Sequence, residues 1–384
     1  MERKYPRPAL AARQGRSEIA VELFEGADWD AANWPSIAAD PILEMSIFQA
    51  REFLEIWMRT IGRDRGVRPF LAVVVDGDTR PVLYLPLAIE TRLGITLLRF
   101  MDAGVSDLNA PIMARDRGLT DGEFAVVWKE ILSRMPPVDV IDLRKMPDHL
   151  NGLRNPLAHL AGDSGHDHGY AVLLSSLPEI HARAPIVRMR KKLRRRLQRL
   201  SELGPANFVS NPPAEALRRT VDGLLDLKRL QYIRTWGHDF LEMPGISRFY
   251  REMTEPERLG RISHLSALTC GDNLVSAHLG FTGRNRFYYV MPAYDIRYRA
   301  LAPGYLLLDH LMTQCRDAGY EVFDLGDGEH PYKMNWMTHQ VRLHTHQQAV
   351  TVAGMLYLQA NRIRRRLDIK VPEFLAAGKS AGRY

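Results

Sequence analysis

Residues 286–308 constrain the fold more than any other stretch. An apolar run, Phe287-Tyr288-Tyr289-Val290-Met291, leads to Arg299-Ala300-Leu301-Ala302-Pro303-Gly304, and a helical pattern opens at Tyr305-Leu306-Leu307-Leu308. Strand, tight turn and helix start in this order specify an α/β layout. They aim several unpaired backbone N–H groups and the positive end of a helix dipole at one point, which suits a phosphate or pyrophosphate. Pro303 belongs in a first helical turn, where its missing N–H costs nothing, and Gly304 lets a ligand approach the backbone. Short glycine motifs are common in unrelated turns, so the reading rests on the flanking strands as much as on the turn.

The spacing Arg299-x-x-Ala302-x-Gly304 resembles the acyl-CoA pyrophosphate loop of GNAT acetyltransferases, commonly written Gln/Arg-x-x-Gly-x-Gly/Ala. It departs from that pattern at the middle glycine, where Ala302 stands. Val322-Phe323-Asp324-Leu325-Gly326, followed by Glu329, Tyr332-Lys333 and Trp336, resembles the closing segment of the CelD-type branch, associated with cellulose and exopolysaccharide biosynthesis. A looser similarity covers most of residues 20–350, including the basic segment near residue 190 and Ser106-Asp107. The resemblance implies acetyl-CoA or another acyl-CoA as co-substrate, held by Val290, Met291, Arg299, Ala302, Pro303, Gly304, Tyr305 and Leu306. It also implies a small-molecule or glycan acceptor.

At 384 residues the chain exceeds one ordinary core and fits two domains. Its 46% apolar and 25% charged residues are those of a soluble globular protein. The sequence has no run of eighteen or more apolar residues, so no membrane-spanning helix is expected, and the start Met1-Glu2-Arg3-Lys4 is not read as a secretory signal. Two cysteines, Cys270 and Cys315, exclude a disulfide framework and a cysteine zinc site, and point to a reducing, cytoplasmic location. His166-Asp167-His168 and His344-x-His346 lack further ligands at usable spacing, so no metal is expected.

Basic residues outnumber acidic ones by 52 to 45, an excess that suits a polyanionic partner or an anionic surface. The excess is concentrated at residues 188–199, where Arg188, Arg190, Lys191, Lys192, Arg194, Arg195, Arg196 and Arg199 surround a helical stripe of Met189, Leu193 and Leu197. Three fates stay open for this amphipathic helix: peripheral contact with anionic lipid at the inner membrane face, contact with RNA or a phosphorylated donor, or a solvated face. Nucleic acid is not the expected partner, and oligomeric state leaves no mark on the sequence.

The chain divides into a basic arm expected to be mobile (1–20), an N-terminal GNAT-like domain (21–175), a basic linker helix (176–205), a C-terminal GNAT-like domain with the acyl-CoA site (206–350), and a terminal helix and tail (351–384). In each half a helical pattern precedes a hairpin, turning at Asp76-Gly77 in one and at Gly271-Asp272 in the other. This predicts a tandem of one α/β (α+β) fold, each copy a mixed, mostly antiparallel sheet flanked by helices. Ala214–Trp236, Ile246–Met253 and Pro303–Ala318 read as helices, and 147–169, rich in Pro, Gly, Asn, Asp and His, reads as loop.

Acyl transfer from a thioester to an amine needs a base, donors for the developing oxyanion, and an acid for the leaving thiolate. No Gly-x-Ser-x-Gly nucleophile is present, and direct transfer needs none. Tyr332 is the expected acid, with Tyr305 behind it. Asp324, ending an apolar strand at its switch into a loop, and His278, inside a strand-like run, are the candidate bases. Lys333, Asp295 and Asp107 are the candidate acceptor contacts. For Lys333 this follows from Fem-type relatives, where a lysine in a comparable segment meets the acceptor's phosphate. Asp295 serves equally as a turn former.

The reading that results is an acyl-CoA-dependent N-acyltransferase, an acetyltransferase by expectation, acting on an amino sugar or sugar intermediate of surface polysaccharide biosynthesis by direct transfer in a ternary complex, with acyl groups other than aminoacyl. Two alternatives stand beside it: a Fem-type transferase using aminoacyl-tRNA, and a non-catalytic GNAT-like module on anionic membrane or a polysaccharide synthase. Fem-type proteins often insert a long coiled-coil pair, for which this sequence has no heptads.

Overall fold

The structure is a computed structural model that describes residues 19–366, apart from 27–28, 30–31, 39–40, 78–79 and 161–165. The arm expected over 1–20 lies outside the described residues as far as residue 18. Ile19 and Ala20 already belong to the first strand.

The N-terminal half comprises β1 (Ile19–Glu25), β2 (Leu43–Glu44), α1 (Arg51–Trp57), a π-helical turn at Met58–Gly62, β3 (Arg68–Asp76), β4 (Arg80–Arg92), β5 (Ile95–Arg99), β6 (Ile112–Ala114), α2 (Asp121–Arg134) and β7 (Val140–Pro147). A small hairpin, β8 (His149–Leu150) and β9 (Leu153–Arg154), precedes β10 (His166–Leu173). Then come α3 (Leu177–Ala182), α4 (Ala184–Leu203), β11 (Ala206–Ser210), α5 (Ala214–Trp236), α6 (Ile246–Met253), β12 (Ser263–Cys270), β13 (Asn273–Gly283), β14 (Arg286–Tyr294), α7 (Pro303–Asp317), β15 (Val322–Asp327), α8 (Pro331–Trp336), β16 (His339–Ala349) and α9 (Val352–Arg366). The expected helices over 214–236, 246–253 and 303–318 are present, closed by Gly237 and Gly319 at positive φ, as left-handed helix ends require.

The fold is the expected mixed α/β one, with two halves of the same plan in one sheet. An antiparallel run, β1-β3-β4-β5, meets β7 in parallel over Leu97–Leu98, and a second run, β11-β12-β13-β14, meets β15 in parallel. Between the runs lie two crossed strands: β16, late in the chain, pairs with β7, while β10, from the earlier half, pairs with both β15 and β16. The loop expected over 147–169 therefore gives way to strand at His166. Its polar residues are held by ladder partners far along the chain, which outweigh local propensity.

Aromatic packing joins the halves. Phe48 and Phe53 meet Phe281 edge-on, with ring centroids 6.2 and 5.4 Å away, and Phe53 meets Phe249 at 5.1 Å. Each such pair adds about 0.5–1.5 kcal/mol beyond the burial of its area. Among the described residues no helix is long and apolar enough to cross a membrane. Cys270 and Cys315 are free and buried.

Gly245 stands hard against the backbone of the N-terminal half. It has φ +80°, and a Cβ there would stand 2.5 Å from the Ile61 Cα in the π-helical turn. Gly245→Ala is expected to destabilise the protein by about 2–4 kcal/mol, through left-handed strain plus overpacking against backbone. Urea denaturation measures this, and a loss under about 0.5 kcal/mol, the range of neutral surface changes, would contradict it.

Candidate active site

A cleft of about 820 Å³ opens between the two halves, and its geometry starts at β14. Leu279 pairs with Met291 but Phe281 pairs with Tyr288, so β14 carries one extra residue, a bulge at Tyr289–Val290. On a regular strand these neighbours would face opposite sides. Here both line the cleft. Parallel pairing of β14 with β15 spans only Arg286–Tyr288 and Val322–Asp324, and beyond it the strands part. Backbone groups on that edge of β14 therefore lack a strand partner and are candidate oxyanion donors.

The turn after β14 is a 3-10 segment, Ile296–Leu301, that carries Arg299 exposed on the cleft rim. Asp295 caps it: Oδ1 accepts from the Arg297 N–H at 2.9 Å and Oδ2 pairs with the Arg297 guanidinium at 2.6 Å. Asp295 is thus placed as a turn former and does not line the cleft. Ala302 has φ +49° and ψ +53°, and Pro303 is the first residue of α7. The left-handed geometry explains why the family pattern favours glycine where Ala302 stands. Gly304, Tyr305 and Leu306 form the first turn of α7 beside the rim. None of residues 302–306 lines the cleft itself, and Met291 lies in the core. α4 packs its stripe, Leu193, Leu197 and Leu200, with Tyr298, Leu301, Ala302 and Tyr305, leaving Arg188, Lys191, Lys192, Arg194, Arg195 and Arg199 exposed near this turn.

The cleft floor is a cluster of charges from both halves. In the N-terminal half, Asp102 folds the loop that follows β5, its Oδ1 accepting from the N–H groups of Gly104 and Ser106 at 2.9 and 3.1 Å. Lys145, at φ +58°, pins the same loop by donating to the Ser106 carbonyl at 2.6 Å. The pinned loop presents Asp107 to Gly326 of the other half. Gly326 has φ +75°, and a Cβ there would sit 3.0 Å from Asp107 Oδ2. That buried oxygen has no hydrogen-bond partner. Burial and the like charge of Asp327 push the Asp107 pKa well above the carboxylate range, against the pull of Lys145. Lys145 is raised: burial opposes its charge, but Asp102, Asp327 and Asp107 overcome that.

From the C-terminal half come Tyr332 and Lys333. Tyr332 faces the cleft, its pKa raised by burial and then by the Asp107 charge and Tyr305, so the phenol stays protonated. Lys333 is buried, donating to the Gly326 and Asp327 carbonyls at 3.2 and 2.5 Å, and burial lowers its pKa. The other two expected catalytic groups are elsewhere. Asp324 pairs with Arg286 at 2.8 Å and accepts from the Gly326 N–H at 2.9 Å, outside the main cleft. His278 is fully buried in β13, stacked on Tyr289 at 4.2 Å, with neither ring nitrogen hydrogen-bonded. Burial, then His264 and Lys228, hold its pKa well below normal, so it stays neutral and away from the cleft.

Lys145, Asp327 and Lys228 join the site without having been singled out in sequence. Lys228 carried a signal: it falls seven residues after Val221 and four after Leu224, a cation on an apolar helical stripe. Its ammonium donates to the Pro292 carbonyl at 3.1 Å and lies 4.8 Å from the Tyr232 ring centroid.

A sequence profile of the Acetyltransferase (GNAT) domain family matches residues 187–334, from α4 into α8. These residues are thus similar to a GNAT-type acetyltransferase domain, within a mixed α/β fold. No curated protein matches the chain. Among solved structures, FemX is similar at 12% identity and TM-score 0.54, over 88% of this chain and 99% of that one. A tandem GNAT protein from the clavulanic acid biosynthesis pathway is similar at 14% identity and TM-score 0.45, over 85% and 98%. L-PGS from Bacillus licheniformis is similar at 12% and 0.46, over 82% and 97%. At these identities the likeness extends to fold alone.

Two predictions follow from the geometry. Ala302→Gly relieves the left-handed strain at some cost in chain entropy, and is expected to stabilise by about 0.5–1 kcal/mol in urea melts. Burial lowers the Lys228 pKa from 10.5 to about 8. Between those values the unfolded chain holds more protons, so this residue makes stability climb as pH rises from about 8 to 10.5, and the gain is lost below about 8. Lys228→Met should flatten that climb and stabilise the protein near neutral pH by at most about 3 kcal/mol. An unchanged pH profile of urea stability in the variant would remove Lys228 as the cause.

Proposed function

We propose that the protein is an acyl-CoA-dependent N-acyltransferase that joins donor and acceptor in one ternary complex. The observation that carries this reading is that Arg299, the bulged pair Tyr289–Val290, Tyr332 and Asp107 all line one cleft. The residues fit an acyl-CoA: an exposed guanidinium beside a helix N-terminus for its phosphates, and a parted strand edge for its thioester. Asp107 takes the proton of the attacking amine, for which a raised pKa and an unpartnered oxygen suit it better than Asp324 or His278. The amine nitrogen bonds the carbonyl carbon while β14 N–H groups hold the oxygen. As the carbon–sulfur bond breaks, Tyr332 gives its proton to the sulfur. Lys145 and Lys333 balance the carboxylates around the reacting atoms.

The acceptor we assign is an amino sugar or sugar intermediate of surface polysaccharide, and this clause rests on the CelD-type resemblance of Val322–Trp336. A second reading, aminoacyl-tRNA as donor, is favoured by one observation: α4 packs its apolar stripe on the Arg299 turn and leaves its cations exposed, where a polyanion would gather. Against it, α5 and α6 are joined by residues 237–245 with no inserted helical pair.

Thermal shift separates the donors. Acetyl-CoA and CoA should raise the melting temperature by mass action, and Arg299→Ala should weaken their binding by about 1.5–3 kcal/mol. A shift seen only with aminoacyl-tRNA would replace the first reading by the second. With an active acceptor, Asp107→Asn and Tyr332→Phe should each lower kcat by about a hundredfold or more while acyl-CoA affinity holds. A kcat within about twofold of the parent would remove that residue from the mechanism.

A further inference from the structure

The N-terminal half supplies a stretch of cleft wall that the GNAT match at 187–334 does not reach. In the paired strands, Ala88 stands opposite Arg99, Glu90 opposite Leu97, and Leu97 opposite Val140. Alternation then places Glu90, Arg92, Arg99, Asp142 and Arg144 on one face of the sheet, and all five line the cleft.

Their ion pairs do not balance. Arg99 bonds Asp142 at 2.6 Å and Glu90 at 3.3 Å, Arg144 bonds Asp142 at 2.7 Å, and Arg92 bonds Glu90 at 2.9 Å. Three guanidinium groups share two carboxylates, which leaves one positive charge in excess. The Arg92 side chain is only 10% exposed, yet its Nε and Nη1 have no hydrogen-bond partner, and neither has Arg99 Nε. Buried guanidinium donors normally find acceptors, and their planar fork matches two oxygens of one anion. A purely structural network would be expected to close on itself, and this one leaves three buried guanidinium nitrogens without acceptors on residues that line the cleft.

We infer that this wall binds an oxyanion, phosphate or carboxylate, at a site separate from the Arg299 turn, and that the anion belongs to the acceptor. The word acceptor rests on the acyl-transfer reading; the oxyanion site does not. It narrows the acceptor to an amine that carries a phosphate or carboxylate group.

Inorganic phosphate and succinate are the probes, titrated calorimetrically into the full chain at low ionic strength, with and without saturating CoA. Arg92→Gln, and independently Arg144→Gln in case the first variant folds poorly, should raise the Kd of the better-held anion about tenfold or more, the usual worth of a charged hydrogen bond. Arg299→Ala should leave it within about twofold, as expected for a site with no shared partner. The tighter of the two probes names the oxyanion. Affinity for both anions unchanged in the two wall variants would overturn the site, as would no binding of either by the parent protein. Anion binding abolished by CoA would place the charge on the donor and overturn its assignment to the acceptor. Failure of acetyl-CoA to bind would sink the acyl-transfer reading and leave the phosphate result standing.

Discussion

Parallel pairing between β14 and β15 stops after three residues on each strand, and the site depends on that short ladder. A longer ladder would consume the backbone N–H groups that the parted edge of β14 leaves free. The separation is held from the far side, because β15 pairs along its other edge with β10, and β10 in turn with β16. Since β10 and β16 are far apart in the sequence and flank each other, the two halves share one continuous sheet. The bulge at Tyr289–Val290 adds a local bend, and both residues contribute to the cleft lining.

The same junction decides where charge can sit. Asp107, Asp324 and Asp327 would repel one another if they were left unmatched, and Lys145, Lys333 and Arg286 are present in equal number. The cations are positioned largely by other contacts: Lys145 by the Ser106 carbonyl, Lys333 by two carbonyls of 326–327. Held this way, they neutralise the cluster without capping Asp107 Oδ2. Paired carboxylates are poor bases. An uncapped one beside fixed cations, with its pKa raised by burial and a like charge, is the kind of group that active sites use.

Much of the C-terminal half was legible because its signals are local. The helix over 214–236 ends at a glycine, the 273–283 hairpin turns at Gly271-Asp272, and Pro303 opens α7. The turn before α7 was legible for the same reason. β10 was not, since its polar His166-Asp167-His168-Gly169 start reads as loop and only its partners near residues 325 and 341 make it strand. A related limit applies to the two candidate bases, which lie outside the main cleft. His278 and Asp324 attract attention as polar residues in apolar strands, but whether such a residue faces a cleft or a core is set by layers that local pattern does not carry. The closeness of Asp107 to Gly326 was not legible either, because the two are far apart along the chain.

The two halves share a plan, and the difference between them is where function divides. Each has a parallel wedge, at β5 with β7 and at β14 with β15. After β14 the chain turns through Arg299 into α7, with Pro303 as its first residue. After β5 it enters an irregular loop shaped by Asp102 that delivers Asp107. The first wedge has therefore no helix dipole to offer a phosphate, and cations would have to do that work there. Arg92, Arg99 and Arg144 stand on its sheet face, partly neutralised by Glu90 and Asp142, so their charge is held in place rather than spread. A repeated fold thus brings cations from both copies to one cleft: Arg299, on the turn before α7, from the second, and guanidinium forks from the first.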